Sequence, residues 1–462
     1  MIQCSYKQKT GELMSKITNM TLGNPTKLIL SFAFPIIITN IGQQLYTIVD
    51  TAIVGRGVGV SALAAVGCTT WIYGLILWTI LALTYGFSTF ISRYFGMGNK
   101  EMLNKYLGTS VFLAFIIGII LTVVGVIATR PLLMLLKTPS DIIDDAAVYL
   151  YVMIGGTLAI MGYNLASSVL RAFGDGRSPL IAMIISAVLN IGLDLIFVMV
   201  IPWGVFGAAL ASVISQLVSF IYCVIQIKNI EMVDLKKSDL TPDFRVIREV
   251  IVFSLPLGFQ NAILAVGGIV LQGAVNLEGS IFIAGYTATN RLYGMFECTA
   301  IALGNAITTF MSQNYGAKKI DRVKSGFKSS FIILIVLSLI VMVLMLITGK
   351  FFLSLFISPD EVGAPESLEI AFKYLFVMLI SLPVLYLLYL YRSSLQAIGN
   401  SFWSMLSGIA EFVARVVFAT YVYDAFGTTS IYFVESAAWL GALIVVIPPC
   451  YYHLNRLTHA QL

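Results

Sequence analysis

The chain has 462 residues, of which 58% are apolar and 11% are charged, whereas a soluble globular protein carries roughly 25% charged residues. Its mean hydropathy of +0.92 excludes a soluble enzyme, a disordered chain and a small secreted disulfide scaffold. The formal net charge of +5 does not indicate a nucleic-acid partner, because the basic residues occur in short connections between apolar runs. The composition is that of a polytopic membrane protein.

Twelve apolar runs are long enough to cross a bilayer as helices, which takes about 20 mostly apolar residues each. In chain order they cover approximately 28–54, 62–91, 106–128, 145–170, 179–200, 205–227, 246–275, 281–312, 329–348, 370–395, 402–422 and 430–452. We therefore predict an all-α polytopic fold with twelve transmembrane helices.

Most of the 28 Lys and Arg residues fall in every second connection between the predicted spans. Arg93 and Arg392 are counted among these connection residues. Because short basic loops stay in the cytoplasm, we predict a multi-pass protein of the inner membrane with both termini cytoplasmic. The predicted organisation is a tail (1–27), a six-helix bundle (28–227), a linker (228–245), a second bundle (246–452) and a tail (453–462). The first 25 or so residues begin without the apolar region of a cleaved signal peptide.

The chain contains an internal repeat. Pro35 and Asn40 recur as Pro256 and Asn261 at an offset of 221, and the ends of the second and eighth spans match at an offset of 220. Copies six spans apart have the same orientation in the membrane, so the halves are related by a pseudo-twofold axis along the membrane normal. Transporters commonly bind their substrate between two such halves.

Five strings resemble motifs of the multidrug and toxic compound extrusion (MATE) family, within the multidrug/oligosaccharidyl-lipid/polysaccharide flippase superfamily. They are IVDTAIVG (48–55), ALAAVG (62–67), LRAFGDG (170–176), LNIGLD (189–194) and QNYGA (313–317). The resemblance runs from about Pro25 to Arg456. Each string alone is weak, but their order on a duplicated twelve-span chain makes the resemblance specific.

This resemblance implies two six-helix bundles in a V and a cation-coupled antiporter. An inward flow of H⁺ or Na⁺ would drive the export of amphipathic, often cationic organic compounds. It also implies that the cation site lies in the N-terminal half, at the positions of Asp50, Asn190, Asp194 and Ser212.

The residues themselves point to the same region, because ionisable groups inside spans are costly and usually functional. Asn40, Gln43, Thr47 and Asp50 follow one another at steps of 3, 4 and 3 and share one helical face, as do Asn190 and Asp194. This oxygen-rich set suits a hard cation such as Na⁺, or a proton held between two carboxyl groups. No other metal site is expected. Alternatively, these side chains only bond the helices to one another.

The second half carries Arg291, Glu297, Glu411 and Arg415 within its spans. Glu411 and Arg415 are four residues apart and are expected to form an ion pair along one helix, and Glu411 is hypothesised to reach Arg291. We interpret these four as a structural charge network rather than substrate contacts. Some members of the resembled family carry an acidic residue in the tenth span. In this chain the tenth span, 370–395, has no Asp or Glu except at its outer edge. A second cation site of that kind is therefore not expected.

For the substrate cavity, the candidates are Gln43, Tyr46, Gln260 and Tyr293, chosen from spans rich in Met and aromatic residues. Pro35, Pro256 and Pro383 are expected to bend their helices. No cofactor beyond the coupling ion is expected, since the glycine pairs do not form a nucleotide-binding motif. The expected partners are small organic molecules and the lipid bilayer, without nucleic acid, and the chain is expected to act as a monomer.

Three other functions are alternatives to a cation-coupled antiporter. A flippase for lipid-linked precursors would favour a basic central cavity, which Arg291 and Arg415 weakly allow. A membrane transferase would require a convergent cluster of acid, base or metal-binding residues near an interface, and none is evident. A channel is disfavoured because charged rings around a pore are absent from the sequence pattern.

Overall fold

A computed structural model describes residues 17–357 and 363–459, except for the side chains of Val60, Trp71, Thr458 and His459. Every regular element within these ranges is helical. Residues 1–16 of the predicted N-terminal tail and 460–462 of the predicted C-terminal tail lie outside the described residues.

The first half contains seven α-helices. They are α1 (Pro25–Gly57), α2 (Val60–Met97), α3 (Lys100–Leu135), α4 (Ile143–Gly155), α5 (Thr157–Ala172), α6 (Arg177–Asp194) and α7 (Gly204–Lys228). The linker that follows holds one 3₁₀ turn, Lys237–Leu240.

The second half contains eight α-helices. They are α8 (Phe244–Leu277), α9 (Ser280–Gly316), α10 (Ile320–Ser354), α11 (Ala364–Ile380), α12 (Leu382–Ala397), α13 (Phe402–Val417), α14 (Tyr423–Phe426) and α15 (Thr428–His459). Within the described ranges, nine helices are long and apolar enough to cross a membrane, and two bent helix pairs raise the number to eleven. The remaining long helix, α9, has 37 residues but is more polar. Counting α9 gives the expected twelve.

The two halves repeat their irregularities as well as their helices. α4 and α5 meet at 49°, and their counterparts α11 and α12 meet at 48°. A π-helical turn follows α6 at Leu195–Val200, and another follows α13 at Phe418–Val422. Pro383 lies in the first turn of α12, at the second bend, whereas Pro35 and Pro256 lie inside continuous helices.

α1 and α8 connect the two halves, because each contributes to both hydrophobic cores. Near its start, α1 places Ile29 and Phe32 in the core of the second half, while its last turns pack Val54 against α7 and the π turn that precedes it. In the same way α8 places Phe253 in the core of the first half and Leu271 in that of the second. The halves are therefore interlocked at the end of the molecule where α1 and α8 begin.

We call this end the basic face. It is formed by the ends of α2 and α9 and the starts of α3 and α10, with the basic residues Lys100, Lys105, Arg177, Arg322 and Arg456. A Cβ atom added to Gly96 would lie 2.0 Å from the carbonyl oxygen of Gln313, and one added to Gly316 would lie 2.0 Å from that of Arg93. Only glycine at both positions allows α2 and α9 to approach so closely. The two halves are closed against each other at the basic face.

Hydrogen bonds join the halves along α9, from its middle towards its end at the basic face. Tyr85 and Thr308 bond through their hydroxyls at 2.6 Å, and Ser92 donates to the carbonyl of Thr309 at 3.3 Å. Asn40 donates to the carbonyl of Cys298 at 3.2 Å.

The chain before each half also crosses to the opposite half. The N-terminal segment, residues 17–24, accepts hydrogen bonds from Arg322 of α10 at the carbonyls of Met20 and Gly23. The linker is held by α3, where Asn104 donates to the carbonyl of Met232 and accepts from the amide of Asp234. These two attachments reinforce the closure at the basic face.

Candidate cation and substrate sites

The four cation-site candidates of the first half come together on three helices. Asp50 lies on α1, Asn190 and Asp194 lie on α6, and Ser212 lies on α7. Asn190 and Asp194 are fully buried, Ser212 is 6% exposed, and Asp50 is half-buried. Asp194 is the last α-helical residue before a π turn, an irregularity that often marks functional sites. All four predicted cation-site residues thus lie in one buried cluster, which we call the acidic site.

The acidic site has more hydrogen-bond acceptors than donors. The carboxyl groups of Asp50 and Asp194 are hydrogen-bond neighbours, but two ionised carboxylates only accept. Oδ1 of Asp50, both carboxyl oxygens of Asp194 and Oδ1 of Asn190 are buried without a donor among the described residues. The Asn190 amide group donates to the Ser212 hydroxyl at 3.2 Å. Buried acceptors in this number require a proton or a cation, since leaving them unpaired is costly.

Two tyrosines complete the surroundings of the acidic site. Tyr46, one turn before Asp50 on α1, lies close to both aspartates and to Ser212. Tyr149 of α4 also lies beside Asp50 and Asp194. Tyr149 was not among the sequence candidates, since a tyrosine in an apolar span is usually a packing residue.

No copy of this site is found among the described residues of the second half. At the offset of 221 that aligns Pro35 with Pro256, Asp50 corresponds to Leu271, which is buried in the hydrophobic core. Asp194 directly precedes one π turn, and the residue directly before the other is Val417. The fold is duplicated, but the pair of carboxyl groups at Asp50 and Asp194 is not repeated at the equivalent described positions of the second half.

The second half instead buries a chain of alternating charges. Arg392 donates to Glu411 at 2.8 Å, Arg415 donates to the other oxygen of Glu411 at 2.9 Å, and Arg415 also binds Glu435 at 2.8 Å. Arg392 and Glu411 are 6% and 4% exposed. The ion pair between Glu411 and Arg415 is present as the spacing predicts.

The hypothesised contact between Glu411 and Arg291 is replaced by another. Arg291 lies on an exposed part of α9, and both oxygens of Glu411 are bound by Arg392 and Arg415. Arg392, counted above with the loop residues, lies inside α12 and is buried. Glu435 was missed, although a single acid in the last apolar run is the same kind of signal that identified Glu411.

Glu297 is the one carboxyl group of this region without an ion pair among the described residues. It lies near Glu411, Glu435 and Arg415, and it accepts a hydrogen bond from Tyr389 at 3.3 Å. With two guanidinium groups and three carboxyl groups, this cluster has one acid more than its bases neutralise. The next residue, Cys298, contacts Asn40 and Gln44 of α1, so Glu297 lies beside the interface between the halves.

The four substrate-cavity candidates have different surroundings. Tyr46 lies at the acidic site, and Gln43 is half-buried one turn earlier on α1. Tyr293 stacks on Trp439 with ring centroids 5.6 Å apart, close to Glu297. Gln260 packs tightly against Gly408 of α13, which is a position within one half.

The described residues contain no group of three or more His, Cys, Asp or Glu side chains placed to hold a metal ion. A monovalent cation at the acidic site would therefore use the two carboxyl groups together with amide and hydroxyl oxygens. A proton would need only the contact between Asp50 and Asp194.

Comparison with known proteins supports the fold and the family. The MatE family model matches residues 35–196 and 256–421, one segment in each half. The probable multidrug resistance protein YpnP of Bacillus subtilis is 30% identical over 365 residues, covering 78% of this chain and 82% of YpnP. The multidrug export protein MepA of Staphylococcus saprophyticus is 23% identical, covering 91% of this chain and 93% of MepA.

A solved outward-facing structure of a multidrug resistance MATE family transporter of the MOP superfamily has the same fold. Its TM-score is 0.88 at 22% identity, over 96% of this chain and 99% of the other. The sequence resemblance is thereby confirmed. The chain is an all-α, multi-pass membrane protein that belongs to the MATE family of multidrug efflux transporters.

Proposed function

We propose that the protein is a cation-coupled antiporter of the inner membrane that exports amphipathic, cationic organic compounds, with H⁺ or Na⁺ as the driving cation. The observation that carries this proposal is the acidic site, where four buried acceptor oxygens on three side chains have no donor in the part of the chain that the structure describes. A site that must bind a cation and release it in each cycle needs such an unsatisfied set of acceptors. A purely structural cluster would be expected to satisfy itself.

We further propose that the basic face is cytoplasmic, because basic connections remain on that side of the membrane. The contacts of Gly96 and Gly316 then close the cytoplasmic end, and we propose that the space between the halves opens to the outside. In this state a proton or Na⁺ entering from outside binds between Asp50 and Asp194. α1 carries Asp50 and also packs on α9 of the opposite half, so it links cation binding to the relative position of the halves.

We assign recognition of the cationic substrate to Glu297. The ion network neutralises the charges of Arg392 and Arg415 but leaves one excess carboxylate beside the interface between the halves. The aromatic rings of Tyr293 and Tyr389 adjoin it, and such rings attract organic cations. One chain contains both halves and both sites, so a monomer suffices for transport.

A flippase for lipid-linked precursors is less well supported. Its anionic cargo would need free basic groups in the central cavity. Of the two arginines that allowed this reading, Arg415 is bound to Glu411 and Glu435, which leaves only Arg291.

The proposal is tested with the purified chain in liposomes loaded with ethidium, under an imposed gradient of H⁺ or of Na⁺. Ethidium movement should be driven by one of the two gradients, and the preferred cation should move in the opposite direction. Transport that is equally fast without either gradient, or dependent on ATP, would contradict the proposal.

A further inference from the structure

Arg291 lies inside the membrane-spanning part of α9 and takes no part in the ion network. It follows Ser280, the first residue of α9, by about three helical turns. Arg291 is exposed, and it forms no ion pair among the described residues, where the acids of the ion network are bound by other arginines. An unpaired charge within a transmembrane helix usually marks a functional site that faces water.

The face of α9 that carries Arg291 is turned towards the first half. Between Ser280 and Cys298, the exposed residues are Ser280, Thr287 and Arg291. Successive steps of 7, 4 and 7 residues lead from Ser280 through these residues to Cys298, so all four share one helical face. The Cys298 thiol accepts a hydrogen bond from Gln44 of α1 at 3.6 Å. Arg291 therefore lies about two turns further from the basic face than a contact between the halves, on the same side of the helix.

This face of α9 is polar, whereas the faces of the bundle that meet lipid are apolar. The neighbouring helix α10 exposes Ile332, Val336 and Val343. A threonine and an arginine that faced lipid hydrocarbon in the same way would lose their water without gaining partners. The polar face of α9 therefore lines a water-accessible cleft between the halves.

The opposite wall of this cleft belongs to α1. Gln44, Thr47 and Thr51 are exposed there at steps of 3 and 4 residues. The hydroxyl groups of Thr47 and Thr51 donate to backbone carbonyls of α1 itself, at 2.9 and 2.7 Å. The acid of α1, Asp50, contacts Asp194 in the acidic site instead. This wall therefore supplies no free carboxylate for Arg291.

We propose that Arg291 is a specificity-determining residue that binds an anionic group, such as a carboxylate, of the transported compound. This inference rests on the proposed function and narrows its preferred substrates to zwitterionic amphipathic compounds. A guanidinium group binds a carboxylate through two parallel hydrogen bonds, which supply both affinity and orientation.

Arg291 and Glu297 define two oppositely charged positions along α9. They are six residues apart in the sequence, which separates them by about 9 Å along the helix axis. Residues at this spacing lie on different faces and do not pair with each other, so both remain available to a substrate. One charge of each sign suits a zwitterion. A cargo with several negative charges would be repelled by Glu297, and a cation without an acidic group would leave Arg291 unused.

The test uses two dyes that differ at one carboxyl group. Tetramethylrhodamine is a zwitterion with a free carboxylate, whereas its methyl ester is a cation of almost the same size and shape. The full-length chain is reconstituted in liposomes under the cation gradient that drives transport, with the membrane potential clamped at zero. The KM of each dye is measured for the natural chain, Arg291→Gln, Arg291→Lys and the control Arg56→Gln, which removes an exposed arginine from the last turn of α1.

The natural chain should have the lower KM for the zwitterion. Arg291→Gln should raise this KM about tenfold, as expected for one lost charge-assisted contact, and should not raise the KM of the ester. Arg56→Gln should resemble the natural chain. Arg291→Lys keeps the charge without the paired donors, so it should raise the KM of the zwitterion relative to that of the ester. This ratio decides the result if Arg291→Gln transports neither dye.

The proposal is overturned if Arg291→Gln changes both KM values equally or changes neither. It is also overturned if the natural chain transports the ester but not the zwitterion, a result that would leave the proposed function intact. A natural chain that transports neither dye under either gradient would contradict the proposed function, and the role of Arg291 with it.

Discussion

Gly96 of α2 and Gly316 of α9 are equivalent glycines, and each lies against the backbone of the helix that carries the other. A methyl group at either position would approach a carbonyl oxygen to 2.0 Å, which neither backbone can avoid without moving. The contact therefore exists only while the halves are closed at the basic face. It makes the closure of this end sensitive to a single methyl group.

Gly316→Ala should accordingly weaken the closed arrangement by about 1–3 kcal/mol, the usual cost of overpacking. Spin labels at Glu101→Cys and Asp321→Cys, on exposed positions at the starts of α3 and α10, would measure the separation of the halves. The natural cysteines must first be replaced. The variant should populate a longer distance than the parent.

Gly67→Ala is the matched control, since Gly67 is also on α2 and has no atom within 4 Å of its Cβ position. If Gly316→Ala leaves the distance distribution as narrow and as short as Gly67→Ala does, the contact is not what holds this end closed.

Glu411→Gln should destabilise the fold strongly. The carboxylate of Glu411 is shared by Arg392 and Arg415, and its loss leaves one buried guanidinium without a charged partner. Breaking a buried pair in this way costs about 3–5 kcal/mol. The measurement is thermal unfolding in detergent. The control is Glu369→Gln, which breaks an exposed pair with Lys373 and should leave the midpoint of thermal unfolding unchanged. Equal midpoints for the two variants would contradict the structural role of the network.

The linker attachment should depend on pH. The Lys105 ammonium group and the amides of Arg245 and Val246 hold the pKa of Asp243 below its ordinary value. A carboxyl group with a lowered pKa in the folded state stabilises that state above its unfolded pKa and loses this contribution as the pH falls through the folded pKa. The attachment of the linker to α3 is therefore expected to persist at neutral pH and to weaken below about pH 4.

Fluorescence anisotropy of a dye at Ser238→Cys would report this loosening of the linker. Asp243→Asn should remove the acid transition, whereas Asp321→Asn, at the start of α10, should retain it. An identical transition in both variants would assign it to another group.

Glu297→Gln should impair the recognition of cationic substrates. It removes the one carboxylate that the buried network leaves unpaired, so the KM for ethidium should rise about tenfold, as expected for the loss of one charged contact. Glu297→Asp keeps the charge and should restore part of the affinity. An unchanged KM in Glu297→Gln would place substrate recognition elsewhere.

Much of the fold could be predicted because the apolar runs and the repeat are local signals in the sequence. The helices extend a few residues beyond the predicted spans, as α9 does from Ser280 to Gly316. The bend between α4 and α5 lies at Gly155 and Gly156, and was not predicted because no proline marks it. Pro35 and Pro256 lie inside α1 and α8 without ending either helix.

The acidic site was accessible to sequence reasoning because Asp50 and Asp194 are rare charges in apolar spans. The ion network could be predicted only in part from the sequence. The arginine that reaches Glu411 is set by how α12 packs against α13, and this packing cannot be read from the spacing along one helix. Arg392 was misplaced for a related reason. It lies in the last two turns of its helix, where a basic residue usually marks the membrane boundary.

The most direct test of the central claim is ethidium efflux from energised cells that lack their own pumps, comparing the natural chain, Asp50→Asn and Asp141→Asn at matched expression. Asp141 is an exposed acid outside the acidic site, so its variant controls for loss of charge. We expect efflux by the natural chain and by Asp141→Asn, and none by Asp50→Asn although it folds and inserts. Normal efflux by Asp50→Asn would contradict the assignment of cation coupling to the acidic site.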